Sequence, residues 1–206
     1  MWRLQRPEAT VAVHPWPASR HLLDTASGIG SDLLVISVAT PDSPLRDTAR
    51  TQVRGALREV LGLQLGCSPE AVNLCSVPGQ ALRVALPGHA ISAIGLSASH
   101  EAGLSVAAIR QGGPVGIDIM RIAPAFDWQA VARDYLGPQA WHRIASQPEP
   151  DQPQAFAREW TRLEAGLKCL EIGLQEWCPA LTQQLESSCF MELDMPAGLC
   201  GAVAWR

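Results

Sequence analysis

The chain has 206 residues, 47% of them apolar, with 16 basic and 20 acidic side chains and a net charge of -4. That content suffices for a real hydrophobic core, and the acidic balance excludes a general nucleic-acid-binding surface, so a polyanionic ligand must be met by a local set of cations. The opening Met1-Trp-Arg-Leu-Gln-Arg-Pro has no apolar segment behind it, and the longest apolar run, Leu33 to Ala39 broken by Ser37, is too short to span a bilayer; a cytoplasmic protein without a membrane partner is expected.

In chain order, Thr10 to His14 and Leu33 to Thr40 read as strands, separated by the Gly/Ser-rich turn around Ser27 to Ser31. After Pro41-Asp-Ser-Pro44 a helix is predicted from Leu45 to Leu61. Val53, Leu57, Val60 and Leu61 line one side of it, and Arg46, Arg50, Arg54 and Arg58 form a ladder along another. The ladder fits a solvated basic face or a phosphate contact.

Val72 to Cys75 and Leu82 to Leu86 read as short strands around Pro78-Gly79, followed by a loop at Pro87-Gly88-His89. Ile94 to His100 approaches a strand end. Leu104 to Ile109 and Val115 to Ile119 read as strands joined by the turn Gln111-Gly-Gly-Pro114, a hairpin with His100 just before it and Asp118 in its second strand.

Two helical pieces, near Trp128 to Tyr135 and Gln139 to Ala145, and the Pro-bearing loop from Gln147 to Pro153 lead to the stretch around which the chain is organised. There Phe156, Trp160, Leu163, Leu167 and Leu170 recur at three- and four-residue spacing, predicting a helix from Gln154 to Ile172 with Gly173 as its C-cap. Strands at Cys189 to Leu193 and Leu199 to Trp205 finish the chain. A strand-helix-strand plan used twice is the expectation.

The six cysteines, at 67, 75, 169, 178, 189 and 200, show no CxxC pair and no zinc spacing, so free, mostly buried thiols are expected.

Glu164 and Lys168 stand four apart on the organising helix, which by itself predicts a solvated ion pair. Yet 15 of the 16 basic residues are Arg and Lys168 is the one lysine. An Arg-biased chain that keeps a Lys here points to a need for a compact ammonium able to share a proton. Asp118, between Ile117 and Ile119, must face solvent or find a partner; it is either a strand-end carboxylate bonded to a turn or, with Glu164, an oxygen ligand of Mg2+. His100, after Ser99, is either a satisfied loop histidine or a phosphate-contacting donor.

Leu96-Ser-Ala-Ser-His100, Val115-Gly-Ile-Asp118-Ile and Trp160-Thr-Arg-Leu-Glu164-Ala-Gly-Leu-Lys168, in this order and separation, resemble the three signatures of the Sfp-type 4′-phosphopantetheinyl transferases. The resemblance is specific from about residue 95 to residue 173. It implies an α/β (α+β) fold of two similar halves, residues 1–105 and 106–206, related by a pseudo-twofold axis, with coenzyme A as substrate in the cleft between them.

It further implies Mg2+-dependent transfer of phosphopantetheine from coenzyme A to a serine of an acyl or peptidyl carrier protein, by an enzyme expected to be a monomer. A non-catalytic relative that binds coenzyme A or carrier protein is the alternative. Carried over by position, Asp118 and Glu164 would hold Mg2+, Glu164 would be the base, and Lys168 would neutralise or protonate the leaving phosphate. Ser99, His100 and Arg50, with Arg54 and Arg46 as rivals to the last, would contact coenzyme A phosphates. Met120 stands where many members have a second acid, Leu163 where they have Lys, and Gly79-Gln-Ala81 where they have Gly-Lys-Pro. Each departure removes a metal or phosphate contact.

Overall fold

The structure, a computed structural model, describes residues 10–19, 32–42, 46–76, 81–85, 94–123 and 127–206. The expected turn at Ser27 to Ser31, the loop at Pro87 to His89, Gly79-Gln80 and the side chain of Arg46 lie outside the described residues.

Two sheets form the centre. The first has the order β1 (His14–Pro15), β2 (Leu33–Ala39), β6 (Leu104–Gln111), β5 (Ile94–Glu101); the second has the order β7 (Val115–Arg121), β9 (Leu199–Trp205), β8 (Cys189–Glu192). A separate two-stranded ribbon, β3 (Asn73–Cys75) and β4 (Arg83–Ala85), lies beside β5 through a Leu82-Leu96 bridge. The fold class is α+β, as expected.

Strand alternation sorts the side chains into layers. Ile36, Leu96, Ala107 and Ile109 face α1 (Arg46–Leu65), whose Val53, Leu57, Val60 and Leu61 are buried against them. Val35, Val106 and Ala108 face the other way and form one core with Ile117, Ile119 and Val203 of the second sheet. On the far side of that sheet, Ala202 and Ala204 meet Ala165 and Cys169 of α4 (Gln152–Leu170). The stack runs α1, first sheet, second sheet, α4.

The expected hairpin is corrected. β6 pairs with β5 and with β2, whereas β7 pairs with β9. The hairpin is β5-β6, closed by Ala102-Gly103 with Gly103 at φ 81°, so His100 lies inside a strand. A two-residue turn holding Gly at positive φ closes adjacent strands, whereas Gln111 to Pro114 carries the chain from one sheet to the other. A division at residue 105 would cut β6 from its sheet; a seam at 112–114 leaves both sheets whole.

The organising helix buries two faces, of which the large apolar stripe is one. Phe156 packs with Trp128, the one buried residue of α2 (Trp128–Val131), and with Ile144 of α3 (Gly137–Ala145). Leu163 and Leu167 meet Leu181 of α5 (Pro179–Leu185), a helix with no counterpart among the sequence expectations. The second face is made of small residues and lies on the sheet. Gly116 permits this: a Cβ there would stand 1.9 Å from the Ala165 carbonyl oxygen and 2.4 Å from the Cys169 nitrogen. The helix ends at Leu170 and not at Ile172. Glu171 takes the left-handed conformation (φ 56°), and the Ile172 amide bonds back to the Leu167 carbonyl at 2.9 Å, a Schellman cap that makes Gly173 redundant.

A short N-terminal segment joins the two sheets. Val11 exchanges backbone bonds with Glu192 and Asp194 beside the second sheet, at 2.9 Å each. His14 and Pro15 then run parallel to Ile36 and Ser37 in the first. The cysteines are free, but Cys75, Cys178 and Cys189 are exposed, against the expectation of mostly buried thiols. Burial pushes the Cys169 and Cys200 thiols up, which keeps them in the unreactive protonated form.

Candidate active site

Asp118 lies mid-strand in β7 and is buried, with 7% of its surface exposed. Alternation sends Ile117 and Ile119 into the core between the sheets and turns Gly116 and Asp118 toward α4. Because Gly116 lets α4 lie on the strand, Lys168 reaches across and donates to Asp118 Oδ1 at 2.7 Å and to the Ile117 carbonyl at 3.0 Å. The expected Glu164-Lys168 pair along the helix gives way to this bond between elements.

Ser99 supplies the other bond to the carboxylate, its Oγ donating to Asp118 Oδ1 at 2.7 Å. Both bonds fall on Oδ1. Glu164 lies one turn before Lys168 on the same side of the helix and feels both neighbours. Burial and the Asp118 charge push its carboxyl up, and the Lys168 ammonium partly offsets them. Two carboxylates in mutual repulsion beside a single ammonium present hard oxygen donors, a set suited to Mg2+, which takes one or two carboxylates and fills its other positions with water and substrate phosphate. Among the described residues no group of three or more His, Cys, Asp or Glu side chains that could hold a metal ion converges.

The raised carboxyl of Glu164 has a consequence for stability with a definite sign. A folded-state pKa above the unfolded one makes Glu164 favourable to the fold at acid pH, and that contribution is lost as pH rises through the folded value. Glu164→Gln is therefore expected to be more stable than the parent at neutral pH and equal to it at acid pH. Urea unfolding of both proteins at the two pH values checks this; a variant less stable at neutral pH would contradict the direction.

The other expected site residues stand apart from this cluster. Alternation along β5 turns Ser99 toward β7 and His100 toward the α1 side, where His100 Nδ1 bonds Ser105 Oγ at 2.8 Å and Ser105 bonds Thr40 at 3.2 Å. Arg50 is exposed and pairs with Asp47 at 3.4 Å, while Arg54 donates to Ser76 Oγ at 2.5 Å. Neither arginine makes a hydrogen bond to Asp118 or Glu164.

The family model described as the 4′-phosphopantetheinyl transferase superfamily matches residues 114–189, a span that begins beside β7 and contains Asp118, Glu164 and Lys168. That span carries the chain's similarity to the 4′-phosphopantetheinyl transferase superfamily. Along nearly its full length the chain is also similar to the 4′-phosphopantetheinyl transferase HetI of Nostoc sp. (strain PCC 7120), at 28% identity over 224 residues, covering 98% of this chain and 92% of that protein.

Two departures from the sequence signatures have a structural place. Leu163 is 7% exposed and buried against Leu167 and Leu181, so it points into the helical layer and away from the carboxylates. Met120 packs against the cluster of Trp128 and Phe156. At both positions apolar packing occupies the place of a charge.

A cavity of about 1040 Å3 lies among α3, α4 and α5 on the far side of the organising helix, and Asp118, Glu164 and Lys168 do not line it. A smaller one of about 190 Å3 lies at the seam between the sheets, bounded by Lys168, Leu96, Gly113 and the ion pair of Arg83 with Glu171 at 2.7 Å. Lys168 borders the smaller cavity, whereas Asp118 and Glu164 line neither. Sequence reasoning missed Arg83, Glu171, Ser97 and Gly116. Of these, only Gly116 carried a signal, an isolated glycine within an apolar strand that marks close backbone approach.

Proposed function

We propose that the protein transfers the 4′-phosphopantetheine group of coenzyme A to a serine hydroxyl of an apo acyl or peptidyl carrier protein, with Mg2+ bound by Asp118 and Glu164. The observation that carries this reading is the Asp118-Lys168 bond at 2.7 Å, with Glu164 beside it, at the seam between two sheets. Such a cluster suits phosphoryl chemistry, where catalysis is chiefly positioning and charge stabilisation. Bound there, the metal would neutralise the diphosphate of coenzyme A and polarise it toward attack.

The residues of this chain then divide the work. Glu164, its carboxyl raised toward a useful range for a base, accepts the proton of the carrier serine. The serine oxygen attacks the β-phosphorus, which carries the pantetheine arm, and the bond to the bridging oxygen breaks. Lys168 gives the departing phosphate a positive partner or a proton, leaving 3′,5′-adenosine bisphosphate. Cytoplasmic location and a monomeric state belong to the same reading. Among the described residues no helix is long and apolar enough to cross a membrane.

The test is intact-mass measurement of an apo carrier protein after incubation with this protein, coenzyme A and Mg2+, beside an EDTA control. A phosphopantetheine-sized gain that EDTA prevents is expected. Asp118→Ala is expected to lose at least about 100-fold in rate and, with it, any stimulation by Mg2+. An Asp118→Ala enzyme still stimulated by Mg2+ removes Asp118 from the metal site. No mass gain with several carriers, despite coenzyme A binding, would favour the non-catalytic reading.

A further inference from the structure

β5 and β7 each end their sheet's strand order, β5 being bridged to the ribbon at Leu96, and they meet at the seam through side-chain bonds. An edge strand leaves backbone groups that need partners. Here side chains supply them: the Ile117 amide donates to Ser97 Oγ at 3.1 Å, the Ile119 amide donates to Ser99 Oγ at 3.3 Å, and the Ile117 carbonyl accepts from Lys168 at 3.0 Å. Ser97 and Ser99 occupy the face of β5 that alternation turns toward the second sheet. Opposite them in β6 stand Ala108 and Val106, which carry apolar side chains into the core between the sheets. Two hydroxyls at the margin of an apolar layer are costly unless fully bonded.

Ser99 is fully engaged. It is 6% exposed, its single proton goes to Asp118 Oδ1, and its lone pair takes the Ile119 amide. It therefore touches the carboxylate and the backbone on the residue after it, while His100 next to it faces the opposite side of the sheet.

We infer that Ser99 is a positioning residue: with Ser97 it stitches β5 to β7 and fixes the Asp118 carboxylate, and it does not itself bind the phosphates of coenzyme A. The inference rests on the proposed transferase reading for its kinetic consequence. Ser99 fixes Oδ1 jointly with Lys168, so its loss would act on the carboxylate that would hold Mg2+ and not on coenzyme A. Ser97 holds the strand one residue before Asp118 and acts on it through the backbone.

The experiment compares the parent with Ser99→Ala, with Ser99→Cys as a control of similar volume, and with Ser97→Ala. Two readouts are taken. In steady-state transfer, Ser99→Ala and Ser99→Cys are both expected to raise the Mg2+ concentration for half-maximal rate about tenfold, with a change of less than about twofold in the KM for coenzyme A. A tenfold rise in that KM with an unchanged Mg2+ requirement would overturn the inference and make Ser99 a phosphate contact.

The second readout needs no turnover. Lys168 is the one lysine of the chain, so protein grown with 13C-lysine gives a single Cε-Hε crosspeak reporting the ammonium beside Asp118. Ser99→Ala is expected to displace that crosspeak in the absence of coenzyme A and metal, and an unmoved crosspeak sinks the positioning role. If the parent transfers nothing to any carrier, the transferase reading fails and this second readout still decides whether Ser99 positions Asp118.

Discussion

Lys168→Arg is expected to fold like the parent and to lose at least about 100-fold of its transfer rate. Lys168 Nζ is a compact donor that satisfies two acceptors at once, Asp118 Oδ1 at 2.7 Å and the Ile117 carbonyl at 3.0 Å, from a partly buried position. A guanidinium is larger, planar and permanently charged. It can keep an ion pair with Asp118, which protects the fold, but it cannot place one nitrogen between both acceptors or give up a proton to a leaving phosphate. Intact-mass progress curves for transfer, with a thermal melt for folding, check both halves of the expectation. Near-parental turnover would show that any cation suffices.

Gly116→Ala is expected to be the most destabilising single methyl in the second sheet, costing roughly 2–3 kcal/mol and most of the activity. The added Cβ meets backbone atoms of α4, the Ala165 carbonyl and the Cys169 nitrogen, which cannot rotate away as a side chain could. The helix must lift from the sheet, and Lys168 is then carried away from Asp118. Gly55→Ala gives the opposite result in urea unfolding. Gly55 lies within α1, a Cβ there meets nothing within 4 Å, and replacing a mid-helix glycine is expected to gain about 0.5–1 kcal/mol. Equal effects at the two glycines would refute the contact argument.

The strands and long helices were legible because their patterns are local. Leu33 to Ala39 and Leu199 to Trp205 are apolar runs bounded by turn residues, and the Phe156-Leu163-Leu167 stripe has helical spacing. The α5 helix escaped notice because it is only 7 residues long and buries a single leucine, too little for a periodic signal. The wrong hairpin has a different cause. Two adjacent strands with a turn between them look alike whether they pair with each other or belong to different sheets, and what separates the cases is the ladder of β6 on β2, about 70 residues away in sequence.

The site was legible in its residue types and not in its bonds. Glu164 and Lys168 were visible as a helix pair, and the rarity of lysine singled out the second. That Lys168 bonds Asp118 depends on the register of α4 over β7, which Gly116 sets. Leu163 read as a lost phosphate contact. In the structure it faces Leu181, a residue of the very helix that the sequence reading lacked.

The segment from Val11 to Pro15 gives the chain a property that neither sheet has alone. It adds itself beside the end of β8 through Val11 and to β2 through His14 and Pro15, while β6 and β7 share one apolar layer from opposite sheets. The segment thus lies against both sheets, and each sheet covers the inner face of the other. Severed from its counterpart, either half would expose a face of Val and Ile and a strand edge ready to pair with foreign chains. The two sheets are therefore expected to fold together and not as modules that could be traded or expressed apart.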